Sequence, residues 1–201
     1  MIRVLLAEDQ NLVRGALVAL LALEDDITVV ADVADGRAAV AAAVEHAPDV
    51  ALLDVEMPVL DGIAATAAIR TRMPGTRVLI LTTFGRPGYL RRAMDAGASG
   101  FVVKDIEPDR LADAVRRVRA GRTVVDPALA VASLERGLDP LSEREREVLR
   151  AAADGATVAT LAVRLRLSEG TVRNHLSSAI GKTGARTRAE AVWKARGNGW
   201  L

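Results

Sequence analysis

Cysteine is absent from the 201 residues, which excludes a disulfide scaffold, a thiolate metal site and a cysteine nucleophile. Aromatic residues are scarce, with two Trp, two Phe and one Tyr, so an aromatic side chain at a motif position stands out. No apolar run approaches the ~18 to 20 residues of a membrane span. The first strand-like run meets Glu8 and Asp9 where a secretion signal would still be apolar. The expectation is a cytoplasmic chain with no membrane partner. What is present is 50% hydrophobic and 26% charged, enough apolar material to offset the ordering entropy of a folded chain. The length suits one large domain or two small ones.

The formal net charge of +1 conceals a segregation. Residues 1–120 carry 14 bases and 17 acids, a net of −3, whereas residues 121–201 carry 13 and 9, a net of +4. Within residues 164–201 there are eight bases and two acids. An acidic front and a basic tail imply two domains with different partners, and the tail suits nucleic acid.

Five short apolar runs, Ile2 to Ala7, Ile27 to Val33, Val50 to Leu53, Arg77 to Leu81 and Gly100 to Val103, alternate with segments of helical periodicity such as Val13, Ala16, Leu17, Leu20 and Leu21. Repeated strand–helix units with nearly continuous apolar strands predict a doubly wound, five-stranded parallel α/β sheet with both faces covered. Its last helix runs from about Glu107 to Ala120 and stops at Gly121. Ligands bind beyond the carboxyl ends of such strands. There the sequence places Glu8-Asp9, Asp54, Thr82-Thr83 and Lys104. A glycine-rich dinucleotide turn is missing after the first strand. Three converging carboxylates instead suit Mg²⁺, with Lys104 as a point positive charge and Thr82 as a hydroxyl at the same edge.

This set, with Met57-Pro58 and Asp61-Gly62 after Asp54 and with Gly97-Ala98 leading to Phe101 and Lys104, resembles the receiver domain of bacterial two-component response regulators over residues 1–120. The resemblance implies that Asp54 is a phosphoacceptor for a sensor histidine kinase. It implies Mg²⁺ (or Mn²⁺) held by Asp9, Asp54 and the Glu56 backbone carbonyl, with Glu8 acting mainly through metal-bound water. Thr82 and Lys104 would bind the phosphoryl oxygens, and Phe101 would be an aromatic switch; a plain core aromatic is the alternative at that position.

Residues 121–140 have little periodicity, apart from a short helix possible over Pro127 to Arg136, and are read as a linker. From Leu141 the pattern is helical only. Ser142 and Glu145 have capping-box spacing, a second helix spans about Thr157 to Arg166, and a turn at Leu167 to Gly170 leads to a third from Thr171 to Thr183. A fourth runs from about Thr187 to Gly197. The second and third form a helix-turn-helix whose polar face, Arg173, Asn174, Ser177 and Ser178, suits a major groove. His175 has no partner at metal-ligand spacing, so it reads as a packing or phosphate-contact residue.

Leu141 to Leu149 and Gly170 to Leu176 are similar to the four-helix LuxR-type DNA-binding domain. Joined to the receiver, they resemble the NarL/FixJ class, with a likeness to DesR-type regulators at Thr82 to Tyr89 and Gly199 to Leu201. The class implies a homodimer on phosphorylation that binds double-stranded promoter DNA, with Thr171, Arg173, Asn174, Ser177 and Lys182 as the contact set. On this reading the chain is not an enzyme. The alternatives are a regulator of the same class that works without phosphorylation, and a phosphohydrolase using Asp54 as nucleophile and Glu56 as acid.

Overall fold

The computed structural model describes residues 1–83, 87–127, 129–131 and 139–201. The chain divides into two compact units, with the break between residues 131 and 139.

In the first unit strands and helices alternate. They are β1 (Ile2–Ala7), α1 (Asn11–Leu21), β2 (Ile27–Val33), α2 (Gly36–His46), β3 (Val50–Leu53), α3 (Gly62–Arg72), β4 (Arg77–Thr82), α4 (Pro87–Asp95), β5 (Gly100–Val103), α5 (Pro108–Arg119) and β6 (Val124–Val125). The strands form one parallel sheet in the order β2-β1-β3-β4-β5-β6. Successive side chains leave a strand on opposite faces, which divides the core in two. Leu5, Ala7, Leu53, Ile80 and Phe101 pack on the face covered by α2 and α3, whereas Val4, Leu6, Leu52, Leu79 and Leu81 meet α1 and α5 on the other. Every residue of β3 is buried, the reason its sequence reads as an unbroken apolar run.

The sheet has six strands, not the expected five. The sixth lies in the stretch read as linker, so residues 121–125 belong to this unit. Gly121 turns in the left-handed region at φ 81° and the chain returns along β5, pairing Gly100 with Val124 and Phe101 with Val125. Two residues are too few to show a strand period. Of the short helix expected over residues 127–136, positions 127 and 129–131 are helical; the rest lies outside the described residues, as do Phe84 to Arg86 of the DesR-like stretch.

The second unit contains α6 (Glu143–Ala151), a 3₁₀ turn at Ala152–Asp154, α7 (Val158–Leu165), α8 (Glu169–Lys182) and α9 (Arg188–Gly197). Ser142, Thr157, Ser168 and Thr187 each cap a helix by accepting a backbone N–H three residues on. At Ser142 the capping box is complete, since Glu145 Oε2 accepts the Ser142 N–H at 2.6 Å. Helix α8 starts two residues earlier than expected. Ser168 provides the cap, and Gly170 falls in the first turn, so the connection from α7 is only Arg166 to Ser168. Val148, Leu149, Leu161, Val172, Leu176, Ala191 and Ala195 form the core of the unit. No helix among the described residues is long and apolar enough to cross a membrane.

Candidate functional site

In the sheet order, β1 and β3 are neighbours from which the chain proceeds in opposite directions. Their carboxyl ends therefore border the crevice where an open α/β sheet takes its ligand. Glu8 and Asp9 follow β1 and Asp54 follows β3. The ladder continues past the strand ends, with Asp54 N–H donating to the Ala7 carbonyl at 2.9 Å and Lys104 N–H to that of Thr82 at 2.8 Å. Carboxylate oxygens of Glu8, Asp9 and Asp54 lie within 4.8 Å of one another. Asp9, Gln10, Asp54, Glu56, Thr82 and Thr83 line a cleft of about 290 Å³. Glu8, Asp54 and Thr82 are buried there, while Asp9 and Glu56 are exposed.

Lys104 enters this acidic group from the end of β5. Its Nζ lies 2.6 Å from Glu8 Oε2 and 3.1 Å from Asp54 Oδ2. The approach is close but poorly angled, and both Glu8 Oε2 and Lys104 Nζ are buried without an aligned hydrogen-bond partner. Burial pushes the Asp54 carboxyl up to about 6, against the opposing pull of Lys104. Burial also works against the charge on Lys104, but its two carboxylate neighbours hold it above the ordinary lysine value. One ammonium therefore serves two of the three clustered carboxylates, and the exposed Asp9 has no share in it. That excess of hard oxygen donors, with a buried Glu8 oxygen paired to Lys104 but lacking an aligned hydrogen bond, fits a divalent cation such as Mg²⁺.

The loop after Asp54 is fixed by backbone geometry. A Cβ at Gly62 would sit 1.9 Å from the Asp54 carbonyl oxygen, so only glycine permits this approach, and the Gly62 N–H reaches the Val55 carbonyl at 3.0 Å. Asp61 caps α3 through the Ala64 N–H at 2.7 Å. Phe101 is fully buried, in the same cluster as Tyr89 and Leu90. Two contributors escaped the sequence reading. The hydroxyl of Tyr89 donates to Glu56 Oε1 at 3.2 Å, and Arg14 Nη1 donates to the Glu8 carbonyl at 2.7 Å. The only tyrosine in the chain was the available signal, because a buried Tyr hydroxyl needs a polar partner.

In the helical unit, Arg173, Asn174 and Ser177 are exposed on α8. Arg173 is not free, since its Nη2 lies 2.7 Å from Glu169 Oε2 one turn earlier. Thr171 is turned toward the cap, with Oγ1 2.8 Å from Ser168 Oγ. Lys182 is likewise paired. It is held by Glu145 Oε2 at 2.8 Å, so it also joins α8 to α6. Glu145 is buried and also accepts from Ser178 Oγ at 2.6 Å. Burial disfavours its charge, but hydrogen bonds from Lys182, Ser178 and the Ser142 backbone prevail and draw its pKa down to about 2.

Two family models match the chain, the response regulator receiver domain over residues 4–116 and the luxR family of bacterial regulatory proteins over residues 139–195. The chain is a response regulator of the NarL/FixJ class. Such a regulator is a DNA-binding transcription factor of a two-component system. The transcriptional regulatory protein DesR of Bacillus subtilis is 40% identical over 201 residues, covering all of both chains. The response regulator RamR of Streptomyces coelicolor is 40% identical over 200 residues, covering 100% of this chain and 98% of RamR. Among solved structures, the response regulator ChrA of a heme-sensing two-component system matches with a TM-score of 0.59 at 36% identity, covering 100% of this chain and 98% of ChrA. A complex of the response regulator RcsB with DNA matches with a TM-score of 0.66 at 26% identity, covering 98% of each chain.

Proposed function

We propose that this response regulator is a cytoplasmic switch in which a sensor histidine kinase phosphorylates Asp54, and that the phosphorylated chain dimerises and binds promoter DNA. The observation that carries the reading is the group of Glu8, Asp54 and Lys104, ion-paired but without aligned hydrogen bonds at Glu8 Oε2 and Lys104 Nζ, at the edge where Asp9 and Thr82 also lie.

In the transfer step an Asp54 carboxylate oxygen attacks the phosphorus of a phosphohistidine. The P–O bond forms as the P–N bond breaks, and the electron pair returns to the imidazole nitrogen. Asp9, Asp54 and the Glu56 backbone carbonyl would hold Mg²⁺ or Mn²⁺, with Glu8 contributing through water. The bound cation supplies neutralisation of charge on the transferring group. Lys104, already beside Asp54 Oδ2, would pair with a phosphoryl oxygen. Thr82, buried on the rim of the cleft, offers its hydroxyl to another. The acyl phosphate adds about −1.5 to −2 charges. Displacement of Thr82 toward it would free volume beside Phe101, giving the packed cluster of Phe101, Tyr89 and Leu90 a second arrangement. In the helical unit Thr171, Arg173, Asn174, Ser177 and Lys182 are assigned to base and phosphate contacts, Thr171 while bonded to the Ser168 cap and Lys182 while paired with Glu145. Trp193, exposed on α9, is one apolar position available for dimerisation.

Acetyl phosphate with Mg²⁺ should label the chain once, with slow decay, and Asp54→Ala should abolish the label. Stoichiometric labelling of Asp54→Ala would overturn the assignment. Many turnovers of a small phosphate ester would favour a hydrolase instead.

A further inference from the structure

The basic side chains of the helix-turn-helix are unequal. Among residues 157–183, Arg164 pairs with Asp154 at 2.6 Å, Arg173 with Glu169 at 2.7 Å and Lys182 with Glu145 at 2.8 Å. Arg166 differs from all three, because its exposed guanidinium has no hydrogen-bond or ion-pair partner among the described residues.

Its backbone is unusual as well. Arg166 ends α7 in the left-handed region at φ 53° and ψ 47°. The Leu167 N–H bonds back to the Ala162 carbonyl at 3.0 Å and the Arg166 N–H to that of Val163 at 3.3 Å, the pattern of a Schellman motif. Glycine is the default at that position, because a Cβ is disfavoured there. The other left-handed positions described in this unit follow the rule, being Gly155, Gly184 and Gly199. Arginine at the one remaining position strains the backbone and gains no side-chain hydrogen bond or ion pair among the described residues. A strained position at a binding element points to a function for the side chain.

We propose that Arg166 is a phosphate anchor, a DNA-backbone contact on the turn that delivers the chain to the recognition helix α8. A guanidinium is suited to phosphate by its fork of donors and weak hydration. This one gives up no internal ion pair on binding, whereas Arg173 must release or share Glu169. The left-handed turn carries it two residues before Ser168, the cap of α8, so the anchor and the base-reading face are joined by the shortest connection in the unit. Its contribution is to affinity and register, independent of base sequence.

The test uses the full chain, treated with acetyl phosphate, and a mixed-sequence DNA duplex titrated at several salt concentrations. Arg166→Gly should lower affinity about fivefold and make the slope of log affinity against log salt shallower by about 1. The same variant should raise the melting temperature by about 3 °C, because glycine relieves the left-handed backbone. Arg166→Lys should keep binding within about twofold, with no rise in melting temperature. Opposite signs for stability and affinity are what a structural role would not produce. Unchanged affinity and slope in Arg166→Gly would overturn the proposal, and so would a joint loss of affinity and stability. A wild-type chain that did not bind the duplex at all would instead overturn the DNA-binding assignment.

Discussion

Asp54 and Glu145 are both buried carboxylates, one in each unit, and their surroundings drive them in opposite directions. Asp54 is pushed up to about 6 and Glu145 down to about 2. The difference lies in donors. Asp54 has the Val55 N–H at 2.7 Å and a share of Lys104, which also serves Glu8. Glu145 accepts from the Ser142 N–H, the Ser178 hydroxyl and Lys182. Burial costs a carboxylate free energy unless donors replace water. A satisfied acid is structure, whereas one left short of donors is prepared for a ligand.

That contrast is open to test, most strongly at Glu145. Its folded pKa lies below the ordinary 4.5, so its contribution is fully present above that pH and is lost as the pH falls toward about 2. Glu145→Gln should destabilise the helical unit by about 3 kcal/mol at neutral pH and flatten the acid limb of the stability curve. Denaturant melts between pH 2 and 5 would show both, and an unchanged limb would remove Glu145 from the account. Asp54 should behave in reverse. Its folded pKa lies above the ordinary 3.8, so ionisation costs stability as the pH rises to about 6, and the penalty persists above that. Asp54→Asn should therefore be more stable than the parent by about 2 kcal/mol near neutrality without added Mg²⁺. The gain should shrink as the pH falls through about 6 and vanish below about 4. A variant no more stable at neutral pH would mean that Asp54 is better satisfied than its surroundings indicate. The smallest effect is expected at Ser178→Ala, which removes one donor. Stability should fall by about 1 kcal/mol, and the Glu145 titration, followed by carboxyl NMR, should move upward.

The sequence exposed features that rest on local rules. Alternating strand and helix segments, with nearly unbroken apolar strands, point to the parallel sheet, and strand ends locate Glu8, Asp9, Asp54, Thr82 and Lys104. Ser142 and Glu145 declared a helix start by spacing alone. What remained hidden depends on contacts distant in sequence or on backbone angles. Strand β6 is two residues long, and its pairing with β5 follows from the turn at Gly121. The ion pair that engages Lys182 spans 37 positions, so no local rule announces it. The left-handed backbone at Arg166 is a dihedral fact, and nothing in the residue type announces it. Tyr89 reaches Glu56 across 33 positions for the same reason. The region that chemistry requires to be acidic was easier to read than the region where exposed charges choose among several partners.

The central claim is that charge added at Asp54 controls DNA binding by the helical unit. Selection of bound sequences from random duplex DNA, run with and without acetyl phosphate for the wild-type chain and Asp54→Ala, tests it directly. The account predicts a two-half-site sequence enriched by the phosphorylated wild-type chain and much more weakly in the other three arms. Equal enrichment of that sequence in all four arms would contradict it.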